Sequence, residues 1–162
     1  MWRAILVTDF DFGTELAAGL AELRGHAISR MRATCVIERP GEDDTDENGD
    51  TETPFTQIYP DPEWPDDHPH ADGKCYTRYP GLAWEQTPEV AGATIVSSRL
   101  VVSIPHGVVA RPGDVVTILS DPDNSQMIGT RLRVASIDDQ SQATRQRLVV
   151  DDLQGPPGIT SA

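Results

Sequence analysis

The chain has 162 residues, enough for one domain with a core of its own, and its thirteen glycines and thirteen prolines among short apolar runs favour a turn-rich β architecture over a helical bundle. A formal net charge of −13 argues against a surface that grips nucleic acid through its phosphates, because that affinity comes from Lys and Arg displacing condensed counterions. No run approaches the ~18 apolar residues of a membrane span, and Ala4-Ile5-Leu6-Val7 is far shorter than the apolar region of a signal peptide, so a soluble protein made in a cytoplasm is expected.

Residues 1–13 form an arm that is apolar for a terminus. Trp2, Phe10 and Phe12 are its candidate contact residues, packing either on the chain's own body or on a neighbouring subunit. Thr14–Arg30 reads as the one helix, with Thr14 as its cap, Glu15 at the positive end of the dipole, and Leu16, Leu20, Leu23 and Ala27 on one stripe. Gly19 and Gly25 weaken it by roughly 1 kcal/mol each relative to Ala, so its stability must come from packing. His26 is expected on the surface.

Arg32–Pro40 is a predicted strand, ended by Pro40-Gly41, with Phe55–Tyr59 as its return strand. Between them Glu42, Asp43, Asp44, Asp46, Glu47, Asp50 and Glu52 supply seven carboxylates with no basic residue. Such a stretch cannot offset its ordering entropy by burial, so it reads as a solvated acidic hairpin with Asn48-Gly49 at its tip. Asp44, Asp46, Asn48 and Gly49 also satisfy the first half of a calcium-binding EF-hand loop, with Asp50 next as a further candidate ligand. The twelfth position, which needs a bidentate Glu, is Phe55, and neither flank reads as a helix.

Asp61–Gly73, with three prolines and five acidic residues, is a loop. His68 and His70 beside Asp66, Asp67, Asp72 and Cys75 invite a zinc reading, but they lack the paired spacing of tetrahedral sites. Trp64 in so polar a loop is a candidate anchor against a neighbour. Cys35 and Cys75 fall on strands that could be neighbours, which leaves open both a disulfide and two small buried residues. Tyr79-Pro80-Gly81 is a turn, and Trp84 is expected to pack on the body of the fold.

From Ser97 to Leu153 the chain reads as an antiparallel meander. Leu100, Val102 and Ile104 mark one strand, and Arg111-Pro112-Gly113-Asp114 a type II turn. Val115, Thr117 and Leu119 resume the alternation, and Asp121-Pro122-Asp123-Asn124 turns again. Leu132 with Val134 and Leu148 with Val150 mark two further strands, joined by the polar loop Asp138–Thr144. Residues 154–162 are a tail with too little to bury. There is no GxSxG, no phosphate-cradling glycine loop and no HExxH, and His106 sits where a turn histidine is the default. No catalytic residue, cofactor or enzyme activity is expected.

The order strand, SIP, RPGD-V-VTI, turn, GT-x-LRV and SQATRQRLVV, preceded by a helix and two cysteine strands, resembles the head-to-tail stopper (head-closure, connector) proteins of siphophages, in particular those of actinobacterial phages. The likeness runs from about Glu15 to Leu153 and departs from the family in the inserted loop Asp61–Gly73. It leads to an expected small antiparallel β-barrel of about six strands with one N-terminal helix, spanning 14–153, with long acidic loops at 41–54 and 61–73. It implies a structural virion protein at the phage neck, assembled in the host cytoplasm. Its partners would be copies of itself in a six-fold ring (twelve-fold as the other possibility), an adaptor above, and a tail terminator or tail tube protein below. Genomic DNA would pass through without sequence-specific binding, and the acidic loop Glu42–Glu52 either faces the channel as a plug or stands outside it as a solvated hairpin. The alternatives are another ring of the connector, adaptor or terminator, or a calcium-dependent binding module on Asp44–Asp50.

Overall fold

Strand β1 (Ala33–Pro40) is paired along both edges, and the rest of the sheet is built outward from it. The computed structural model describes residues 12–45, 51–78, 89–90, 93–94, 100–138, 140 and 142–153. In chain order it contains α1 (Phe12–Ser29), β1, β2 (Asp44–Thr45), β3 (Thr51–Glu52), β4 (Phe55–Tyr59), β5 (Lys74–Arg78), β6 (Glu89–Val90), β7 (Ala93–Thr94), β8 (Leu100–Pro105), β9 (Val115–Ser120), β10 (Arg131–Asp138) and β11 (Arg145–Asp152). Strands β1, β5, β8, β11, β10 and β9 pair antiparallel in that order, and β9 pairs back onto β1. The fold is therefore a closed barrel of six strands with one N-terminal helix, as the sequence reading expects.

Closure follows from the alternation. Cys35 and Ile37, Cys75, Val102 and Ile104, Val116 and Ile118, Leu132 and Val134, Leu148 and Val150 all lie in the core at 2 % exposure or less. Each large aliphatic side chain removed from water in this way contributes about 1.5–3 kcal/mol. Strands β4 and β5 share one edge of β1: β4 pairs with Ile37–Pro40 and β5 with Ala33–Thr34, and a bulge at Ile37/Glu38 interrupts the β4 register. The loop Asp61–Gly73 is thus an excursion between two strands that run along the same edge.

The meander is corrected. β9, β10 and β11 are consecutive neighbours, but β8 pairs with β11 and β5 and not with β9. The Pro-Gly turn between β8 and β9 is formed, with Gly113 at φ 96° and Asp114 N donating to Arg111 O at 3.2 Å. Two-residue hairpins between neighbouring strands use the mirror-image turns whose twist matches the sheet, and a type II turn does not. Segment 106–114 is instead a crossing connection that places Val108 and Ala110 in the core. In β9 the interior residues are Val116 and Ile118; Val115 is also buried, Thr117 is half-buried and Leu119 is exposed.

Helix α1 begins two residues before the predicted Thr14 cap, so Thr14 lies within its first turn. It lies over β8 and β11, whose outward-facing Val101, Ser103 and Val149 are buried. Its half-buried positions are Leu16, Leu20, Arg24, Ala27 and Ile28, whereas Leu23 is 54 % exposed. The expected stripe therefore drifts by one position in its second half. Arg24 is the reason: its Nε donates to Ala143 O at 3.2 Å and its Nη2 lies 3.4 Å from His106 Nε2, tying the helix to the barrel. His26 is on the surface, 3.6 Å from Glu22 one turn earlier.

Candidate functional site

The acidic segment continues the barrel's own hairpin. The β1–β4 ladder runs to Pro40 opposite Phe55, Gly41 N donates to Pro54 O at 2.7 Å, Thr53 Oγ1 donates to Asp43 Oδ1 at 2.6 Å, and Asp44–Thr45 then pairs with Thr51–Glu52. A Cβ on Gly41 would stand 3.0 Å from the Pro54 ring, so glycine lets the two chains stay paired there. Glu42, Asp43 and Glu52 are exposed on this two-stranded ribbon. Asp46, Glu47, Asn48 and Asp50 lie outside the described residues, and of Asp44 only the backbone is described. The calcium loop needs helical flanks, and here Asp44–Phe55 begins in β2, contains β3 and ends at the first residue of β4. Phe55, in the calcium-anchoring position, sits 43 % exposed at the ribbon's base with the Arg131 guanidinium 5.5 Å from its ring centre.

The inserted loop is held by its aromatic residues. Tyr59 is fully buried and donates through its hydroxyl to Lys74 O at 2.7 Å, joining the two ends of the excursion. Trp64 meets Tyr59 edge-on at 6.3 Å, and His68 stacks on Trp64 at 4.0 Å. His70 closes the group, 5.3 Å from His68, with its backbone N–H donating to His68 Nδ1 at 3.2 Å. Burial, and then the neighbouring His68, hold the His70 imidazole below its usual pKa. Trp64, the candidate partner anchor, is half-buried against the chain's own core. It also lines a groove of about 410 Å3 with Ile58, Pro62, Arg39, Val108 and Val109, the last 69 % exposed. The zinc residues do not converge: Cys75 points into the core, and no three His, Cys, Asp or Glu side chains among the described residues could share a metal ion.

Asp114, the last residue of the RPGD turn, has a side chain only 2 % exposed. It accepts from Arg39 Nε at 2.9 Å and Arg39 Nη2 at 3.0 Å, and from the backbone N–H of Arg111 at 2.7 Å. Arg39 Nη2 also donates to Val109 O at 3.0 Å, and its pKa is raised by the bond to Asp114. Sequence reasoning had the turn but not its lock. The available signal was an arginine in a strand whose other outward residues are smaller or acidic.

Cys35 and Cys75 are both free and fully buried in the core. The Cys35 thiol is pushed well up in pKa, first by its hydrogen bond with Cys75, then by burial. Of the arm residues, Trp2 and Phe10 lie outside the described residues, and Phe12 opens α1. Trp84 and the Tyr79-Pro80-Gly81 turn also lie outside them. No described helix is long and apolar enough to cross a membrane.

No curated protein and no solved structure matches this chain. Residues 23–151, from the second half of α1 to the last barrel strand, match a family of unknown function, DUF6093, and the chain belongs to that family.

Proposed function

We propose that this chain is a structural ring subunit of a tailed bacteriophage neck, a head-to-tail stopper that closes the portal channel after DNA packaging and offers a platform to the tail. The observation that carries this reading is the acidic ribbon: a strand-paired extension of β1 and β4, free of basic residues and with Glu42, Asp43 and Glu52 exposed, leaving a closed barrel. A ribbon pinned at its base can be aimed at a common axis by every copy in a ring. Its charge repels DNA phosphates during passage while its bulk narrows the opening.

Ring formation draws on surface the barrel leaves uncovered. The six barrel strands have both edges paired, so copies meet through side-chain surfaces or at the outer edge of β4, which has no partner among the described residues. Leu23, Phe55, Val109, Leu119 and Ile128 are exposed large apolar residues available to such contacts. Repeating one head-to-tail contact closes a ring when its rotation divides the circle, and six copies are expected. Deleting 41–53 from the phage gene tests the plug: filled heads should leak DNA, and heads that retain their DNA normally would contradict it.

A further inference from the structure

We propose that the cavity between the C-terminal end of α1 and the outer face of β5 and β11 is a binding site for a small phosphate-type oxyanion, held by Arg30, Arg78 and Arg145. The cavity has a volume of about 280 Å3 and is lined by these three arginines with Ala27, Met31 and Tyr76. The assignment stands independently of the ring reading.

Charge alone makes the cluster unusual. The chain carries 26 acidic and 13 basic residues, and among the described residues four other cations find carboxylates, Arg32 with Asp123, Arg39 with Asp114, Lys74 with Asp72 and Arg147 with Asp138, while Arg24 binds Ala143 O and Arg131 lies over the Phe55 ring. Arg30, Arg78 and Arg145 form no ion pair among the described residues, yet the turn after α1, β5 and β11 bring them to one cavity. Burial, and then the charges of Arg147, Arg78 and Arg30, hold Arg145 below the usual pKa of a guanidinium.

Two buried polar atoms add a second observation. Arg78 Nε is buried without a hydrogen-bond partner, and so is Ser103 Oγ. The register places Ser103 directly between Tyr76 on β5 and Arg147 on β11, on the outer face beside the cavity. A buried donor left unpaired costs about 1–3 kcal/mol. An anion in the cavity would accept from Arg78.

The number of guanidinium groups indicates the anion. This protein already contains a carboxylate site, where one arginine grips Asp114 through both oxygens. Three arginines around an open cavity exceed what one carboxylate can use and suit a tetrahedral dianion with four oxygens. The excess of carboxylates on the remainder of the chain disfavours a long polyanion, so the ligand is a free phosphate or a small phosphate ester rather than nucleic acid.

Calorimetric titration of the intact chain with inorganic phosphate, at constant ionic strength set by chloride, tests this. Acetate and a short DNA duplex are titrated in parallel. Saturable binding of one phosphate per chain is expected, with acetate at least about tenfold weaker and the duplex not competing. Arg78→Gln and Arg145→Gln should each weaken phosphate about tenfold, equivalent to about 1.4 kcal/mol. Arg133→Gln, an exposed arginine on β10 outside the cavity, should leave it unchanged, with circular dichroism confirming that all three variants fold. Absence of saturable phosphate binding, equal affinity for acetate, preference for the duplex, or equal weakening by Arg133→Gln would each overturn the assignment.

Discussion

Arg39 holds Asp114 through both carboxylate oxygens, at 2.9 and 3.0 Å, and this pair fixes the crossing connection between β8 and β9 against β1. The carboxylate also accepts from Arg111 N inside its own turn, so one side chain shapes the turn and anchors it. Arg39→Met leaves a nearly fully buried carboxylate without its counterion and should lower stability by about 3 kcal/mol. Urea unfolding at pH 7 measures it. Adding Asp114→Asn to Arg39→Met should cost far less than the sum of the two single changes.

Two glycines should respond to alanine in opposite directions. Gly73 has φ 64°, and a Cβ there would stand 2.6 Å from the carbonyl oxygen of Cys35, so Gly73→Ala should cost at least about 1–2 kcal/mol. Gly19 has open space around it on the exposed face of α1, and Gly19→Ala should stabilise by about 0.5–1 kcal/mol. Thermal unfolding of the two variants checks both signs.

The two cysteines should be inert in the folded chain. Alkylation requires a thiolate, and Cys35 is shifted away from one by Cys75 and by burial, with both sulfurs out of reach of solvent. Iodoacetamide at pH 8, followed by mass spectrometry, should leave both unmodified in buffer and modify both in urea.

The inserted loop should weaken in acid. The pKa of His70 is lowered in the fold from its usual 6.5, so the unfolded chain binds the proton more readily. Its contribution is therefore fully present above pH 6.5, is lost as pH falls toward the folded-state pKa, and levels off below that value. Unfolding midpoints measured across this window should fall for the wild-type chain and flatten in His70→Gln.

Much of the fold was legible because it is written locally. The helix, both cysteine strands, the hairpin return at Phe55 and the turns at Pro112-Gly113 and Asp121–Asn124 each follow from a few adjacent residues. The partner of β8 was not legible, since alternation along Leu100–Ile104 says that one face is buried and not which strand lies beside it. Val115, buried on the face opposite Val116, hid the interior set of β9 in the same way. Of the candidate site, the charge of the acidic segment and its hairpin form could be read directly. Arg39 with Asp114, and the gathering of Arg30, Arg78 and Arg145, depend on barrel closure bringing distant positions together, and no local pattern announces them.

The central claim is that copies of this barrel close a ring around the DNA channel with their acidic ribbons turned to the axis. Electron cryo-microscopy of the neck of a filled phage that encodes the protein tests it most directly. The account predicts six copies in one ring between portal adaptor and tail, with residues 41–54 lining the narrowest passage. A purified particle in which the protein is absent, or is present with those residues on the outer wall, would contradict it.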